Sequence, residues 1–183
     1  LVNGRKVQRS KVILTMGYTH YWYMEKEKEI SEEKWNGLMA DVKKLLEGSP
    51  ILERAKQNNP WGDWNEPIIT ENMIRYDGDH ETFVLERKPK QQSWRKDEVL
   101  VFNFCKTARK EYDGLVTATL LLAKHHLGDE IKISSDGGAK EWAEGAWKGV
   151  PSGYELTKEI LNGTEHKEAF KATMADLIRE VDN

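Results

Sequence analysis

The stretch IITENMIRYDGDHETFVLE, residues 68–86, decides the fold class. Residues 68–76 and 81–86 are rich in β-branched, aromatic and aliphatic side chains, as strands are. Between them Asp77-Gly78 is a dipeptide suited to the positive backbone angles of a tight turn. The stretch therefore predicts a hairpin, an antiparallel pair in the middle of the chain. A doubly wound parallel sheet needs regular strand–helix alternation, and a central hairpin breaks it. The expectation is an α+β fold in a single domain, with a mixed or mostly antiparallel sheet, packed helices and a C-terminal helical pair.

Towards the N-terminus, NNPWGDWNEP at 58–67 reads as a loop carrying Trp61 and Trp64. Before it, Trp35, Leu38, Met39, Val42, Leu45 and Leu46 recur at helical spacing. Ser31 stands as N-cap, Glu32 and Glu33 sit where the helix dipole favours acids, and Gly48 with Pro50 marks the stop. Residues 11–23 read as one strand or two short ones. Towards the C-terminus, a polar basic loop at 88–98 leads into a strand at 99–104. A helix follows, starting between Thr107 and Asp113 and ending near Leu127 at Gly128. A short strand at 130–134 runs through Asp136-Gly137-Gly138 into a helix carrying Trp142 and Trp147. In the tail, Ser152 and Glu155 form a capping box, and Thr164 caps a segment with Phe170, Met174, Leu177, Ile178 and Val181 on one side. The expected organisation is an extension at 1–15 ahead of a natural start at Met16, an α+β core at 16–150, and C-terminal helices at 151–183 packed on the core or extending it.

With 183 residues, 38% of them hydrophobic, the chain supports one well-buried core. The longest apolar run, 116–123, is interrupted by Thr117 and Thr119 and falls far short of the roughly 18 residues a membrane span needs. The single Cys105 excludes an internal disulfide and a multi-cysteine zinc site, which fits a reducing cytoplasm. The net charge of −3 is unevenly spread: residues 87–110 carry +6 and the rest −9. Such asymmetry draws anionic ligands to one region, although solvated basic loops are common.

The segment FNFCKTARKEYD, residues 102–113, reads as strand, basic turn and helix. That order aims Lys106, Arg109 and Lys110 at a helix start whose free amides favour phosphate or carboxylate, with Asp113 in the first turn. Surface cations of this kind more often solvate a turn or pair with a nearby acid. Cys105 beside these cations is a candidate nucleophile. A phosphatase-type loop, however, needs arginine six positions on, where Glu111 stands, so a buried inert thiol is the better expectation. At SSDGGAKEW, residues 134–142, Asp136 is a candidate base or metal ligand, and turn capping is its commoner use. His20 faces oppositely to its strand neighbours. His80 with Glu81, and the adjacent His125 and His126, lack helical ligand spacing, and no metal site is expected. Loop tryptophans beside a basic segment can stack on single-stranded nucleic acid, but they more often fold back on the core. Nucleic acid is thus allowed as a partner without being favoured.

Four segments, GYTHYWY (17–23), ETF (81–83), FCKTARKEYD (104–113) and ISSDG (133–137), together resemble an uncharacterised family of small bacterial, phage and giant-virus proteins. The resemblance covers about 16–142, leaves out the tail helices, and carries no activity, cofactor or catalytic residue with it. It implies phage or gene-cassette cargo, and it groups His20, Arg109, Asp113 and Asp136.

The leading expectation is an accessory protein that binds a small phosphorylated or anionic ligand through Lys106, Arg109 and Lys110, with Asp113 and the Asp136 turn beside them. One alternative is a hydrolase of a phosphorylated substrate with His20 or Asp136 as base or metal ligand. Another is an interaction module whose C-terminal helices form a homodimer or dock a partner.

Overall fold

Strand β1 (Thr19–Glu25) lies between β5 (Leu100–Lys106) and β6 (Ile131–Ser135) in an antiparallel sheet of order β5-β1-β6. The computed structural model describes residues 17–58, 64–90, 99–146 and 149–179. The expected N-terminal extension, the beginning of the expected first strand, and Trp61, Trp94, Trp147 and Val181 lie outside them. On β1, period-two alternation sends His20, Trp22 and Met24 into the core. A second antiparallel sheet, β2 (Ile68–Ile69), β3 (Met73–Tyr76) and β4 (Phe83–Glu86), turns Ile74, Tyr76, Phe83 and Leu85 inward. The sheets meet where the Trp22 and Phe83 rings lie 5.0 Å apart.

The hairpin is present, but its turn is longer than Asp77-Gly78 suggests. Tyr76 pairs with Phe83, leaving 77–82 as the loop. Asp77 organises this loop by accepting from Thr82 Oγ1 at 2.7 Å and from the Asn65 amide at 2.9 Å. Gly78 is required by a close approach: a Cβ there would lie 2.2 Å from the Tyr112 ring.

Helix α1 (Glu32–Leu46) buries Trp35, Leu38, Val42, Leu45 and Leu46, and Trp35 Nε1 donates to Thr70 O at 3.0 Å. Pro50 opens a further helix, α2 (Pro50–Gln57), which inserts Ile51, Leu52 and Ala55 into the core. Pro50 stands at the first helical position, where a missing N–H costs nothing, so it starts a helix where it was expected only to mark a stop.

Helix α3 (Asp113–Leu127) is the centre of the molecule, with thirteen of its fifteen residues buried. It is covered by α1 and β6 and by the tail helices α5 (Gly153–Thr157) and α6 (Gly163–Arg179), while α4 (Ala139–Glu144) lies against α5. A helix buried on every side has no clear amphipathic period, which is why its start was ambiguous in the sequence. Ser152 Oγ accepts from Glu155 N at 3.0 Å, as a capping residue should. Helix α6 is capped by Asn162, whose Oδ1 accepts from both Thr164 N and Glu165 N at 3.1 Å, and not by Thr164. Residues from both sheets and from α1, α2, α3, α4 and α6 form one hydrophobic core, so the fold is a single α+β unit. Among the described residues, no helix is long and apolar enough to cross a membrane.

Candidate functional site

The four segments singled out in the sequence meet at one end of the first sheet. Registers place His20 opposite Cys105 on one side and Ser135 on the other, and Thr19 opposite Lys106. Glu81 joins them from the β3–β4 loop: its Oε2 accepts from Lys106 N at 2.6 Å. The buried Tyr112 hydroxyl lies 3.0 Å from both the N–H and the carbonyl of Glu81, and 3.1 Å from Lys106 O.

Inside this junction is a chain of side-chain hydrogen bonds. His20 is fully buried, with Nε2 2.8 Å from Asp113 Oδ1 and Nδ1 2.9 Å from Ser135 Oγ. Thr107 Oγ1 donates to the same Asp113 oxygen. The proton order follows from the donors around Ser135. Gly137 N–H at 2.9 Å and Trp142 Nε1–H at 3.3 Å can only donate, so they occupy the two lone pairs of Oγ. The Ser135 hydrogen is then left for His20 Nδ1, and His20 Nε2–H donates to Asp113. The imidazole is fixed from its faces as well, edge-on to Tyr18 at 5.1 Å and to Trp142 at 5.3 Å.

Around the buried chain lies a charged rim. Ala108 and Arg109 both adopt positive φ, 49° and 57°, a conformation that costs a non-glycine residue about 1–3 kcal/mol and needs outside support. The support is Tyr18 O, which accepts from Thr107 N and Ala108 N at 3.0 Å each. The resulting turn carries the Arg109 guanidinium back over the Tyr18 ring at 4.0 Å, with Nη2 3.5 Å from Glu141. The Tyr18 hydroxyl is buried without a hydrogen-bond partner among the described residues. It stands directly over Gly137, where a Cβ would come within 1.9 Å of it. Burial, then the Asp113 and Glu141 carboxylates, push its titration well above the ordinary tyrosine range against the pull of Arg109.

The expected site residues thus divide. His20 and Asp113 form a buried pair. Asp136 is exposed and does not join them: Oδ2 accepts from Thr19 N at 2.9 Å and Oδ1 from Tyr21 OH at 3.2 Å. Arg109 flanks Tyr18. Lys106 reaches alongside Gly17. Lys110 leaves the cluster for Asp79, 3.7 Å away. Two of the three cations therefore already face a carboxylate. Tyr18, Ser135, Thr107, Glu81, Glu141 and Trp142 were not foreseen as site residues. Alternation along 131–135 was the available signal for Ser135, since it places that hydroxyl on the same face as the inward Ile131 and Ile133.

Cys105 lies in the core with Sγ 3.8 Å from Glu81 O, and burial, aided by the Glu81 and Asp113 charges, pushes its thiol up to about 12. The native chain is expected to leave Ellman's reagent unreacted at mildly alkaline pH and to release one equivalent on denaturation. Rapid reaction of the folded protein would contradict this burial.

His126 Nε2 binds Asp41 at 2.8 Å, which joins α3 to α1. Trp64 packs against the core. Among the described residues no three His, Cys, Asp or Glu side chains are grouped to hold a metal ion. The molecule is thus an α+β protein whose candidate site is a buried Thr–Asp–His–Ser chain beneath a mixed-charge rim. No protein-family model, no curated protein and no solved structure matches the chain.

Proposed function

We propose that the chain is an accessory protein that binds a small phosphorylated or anionic ligand at the rim formed by Lys106, Arg109 and the Asp136-Gly137 turn. The observation that supports this reading most is the unpartnered Tyr18 hydroxyl, buried beside Gly137 and beneath the Arg109 guanidinium. A buried hydroxyl with no acceptor is costly, and an anion exchanging with Glu141 for Arg109 would supply one. Lys110, held by Asp79, would contribute at longer range. The resemblance to phage and gene-cassette proteins and the lone thiol fit cytoplasmic cargo of a mobile element.

The test is a thermal-shift panel of phosphate, pyrophosphate, nucleoside phosphates and phosphosugars in low salt. Ligand at about a hundred times its Kd contributes roughly 2.7 kcal/mol, which for a chain of this size raises Tm by about 5–10 °C. Arg109→Ala should abolish the shift, and an unmoved Tm across the panel would count decisively against the proposal.

A second reading, hydrolysis of a phosphorylated substrate, draws on the Asp113–His20–Ser135 order of contacts, which resembles that of a nucleophilic triad. It makes Ser135 the nucleophile and His20 its base, with Asp136 outside the chain. Binding is favoured over it because Ser135 Oγ already takes two N–H donors, which hold the lone pairs a nucleophile must present. Labelling of Ser135 by a fluorophosphonate probe would reverse that preference.

A further inference from the structure

The two faces of the first sheet differ in burial: His20, Trp22, Met24 and Cys105 on the inner face are buried, whereas Tyr21, Tyr23 and Phe102 on the outer face are partly buried and Phe104 is exposed. The registers Tyr21↔Phe104 and Tyr23↔Phe102 put aromatic rings side by side on two neighbouring strands. The Tyr21 and Phe102 rings lie 5.7 Å apart and nearly parallel, and Phe102 and Phe104 lie 5.8 Å apart. Phe104 is 48% exposed, against the usual fate of a large aromatic in a strand. Lys106 follows Phe104 on the same face of β5, and Lys132, paired with Tyr23, stands across the sheet on β6. Neither lysine forms an ion pair with any described residue, whereas Arg54, Lys56, Arg109 and Lys124 all do.

Aromatic rings flanked by two lysines without an ion pair to any described residue suit unstacked bases joined by phosphates. A neutral peptide or a second sheet would cover the rings but would leave the two cations without an anion. We infer that the outer face of this sheet binds single-stranded nucleic acid, with bases stacked on Phe104 and Tyr21 and phosphates held by Lys106 and Lys132. The Tyr21 hydroxyl, tied to Asp136 at 3.2 Å, keeps that ring in place on the platform. The inference rests on the anion-binding reading above, shares Lys106 with it, and names the class of ligand.

Fluorescence anisotropy of labelled oligo-dT and oligo-rU with the full chain tests it, with inorganic polyphosphate as competitor. Binding of either oligonucleotide is expected in low salt, and the stronger arm names the sugar. Phe104→Ala should weaken it about 5- to 150-fold, the range for a lost base–aromatic stack. Because Phe104 is exposed, the variant should keep the wild-type Tm and circular dichroism. Lys132→Ala should flatten the dependence of log K on log salt by about 0.7, one phosphate contact on a single strand. No binding of either strand, or unchanged binding by a folded Phe104→Ala chain, would overturn the inference. Stabilisation by pyrophosphate without oligonucleotide binding would overturn this extension and keep the anion site. Absence of both would overturn the two together.

Discussion

The His20→Ala chain is expected to lose about 3–5 kcal/mol of folding stability, the cost of breaking a buried hydrogen-bonded pair by removing one partner. His20 is fully buried, and Asp113 and Ser135 both depend on it. Without the imidazole, Asp113 retains Thr107 alone as its side-chain donor, and the Ser135 hydrogen has no acceptor. The cavity left between Tyr18 and Trp142 adds to the cost, because the flanking strand and helix hold those rings in place. Ser135→Ala should cost less, about 1–3 kcal/mol, since it orphans the Gly137 and Trp142 N–H groups without creating a large void. Urea denaturation of the two variants gives both values. A His20→Ala loss below about 1 kcal/mol, the worth of one ordinary hydrogen bond, would show that the chain of contacts is not a structural node.

Lys124→Met is expected to be comparably damaging, at a position near the C-terminal end of α3. The Lys124 side chain is 4% exposed, its ammonium 2.7 Å from Asp176 of α6 and 3.1 Å from Ile131 O. Asp176 also accepts from Ile133 N at 3.3 Å. Removing the lysine strands a buried carboxylate between α6 and β6, again a loss of about 3–5 kcal/mol. In a chain of this length that lowers Tm by roughly 6–20 °C. The double variant Lys124→Met, Asp176→Leu should recover part of the loss: the apolar pair leaves no stranded charge, but it removes the acceptor of the buried Ile133 N–H, which costs about 1–3 kcal/mol. Failure of the second substitution to restore stability would mean that the lysine contributes through its stem and its carbonyl contact, not through the ion pair.

Residues that signal locally were legible in the sequence, and residues that act across the fold were not. Ser31 stands at the N-cap position of α1 without a side-chain cap hydrogen bond, so the acids after it and the spacing from Trp35 to Leu46 specify this helix, and neighbouring positions carry the message. The β3 and β4 pattern likewise gave the antiparallel pair and with it the α+β class. The six-residue loop between them was not readable, because it is set by Asp77 reaching back to Asn65 and by the Tyr112 ring over Gly78. Helix α2 is not legible in the sequence because eight residues behind a proline resemble a terminator. At the site, alternation correctly set His20 apart from its neighbours, and FCKTARKEYD was recognised as a strand, a basic turn and a helix. Its pairing to Asp113, 93 positions away, and to Ser135, 115 positions away, follows from registers that no local pattern encodes. Charge counting also overstated the free positive charge. Arg109 and Lys110 find Glu141 and Asp79, acids that lie outside the basic segment.

The central position of α3 has a consequence for how the protein is made. A ribosome adds about 5–20 residues each second, and α3 emerges several seconds before the last turns of α6 that help cover it. During that interval Leu120, Leu121, Leu122 and their neighbours have an incomplete shelter, and the nascent chain offers chaperones an adhesive apolar rod. Yield in a cell is therefore expected to depend on how fast α6 arrives and docks, and a chain stopped before α6 should be insoluble and not a smaller working protein.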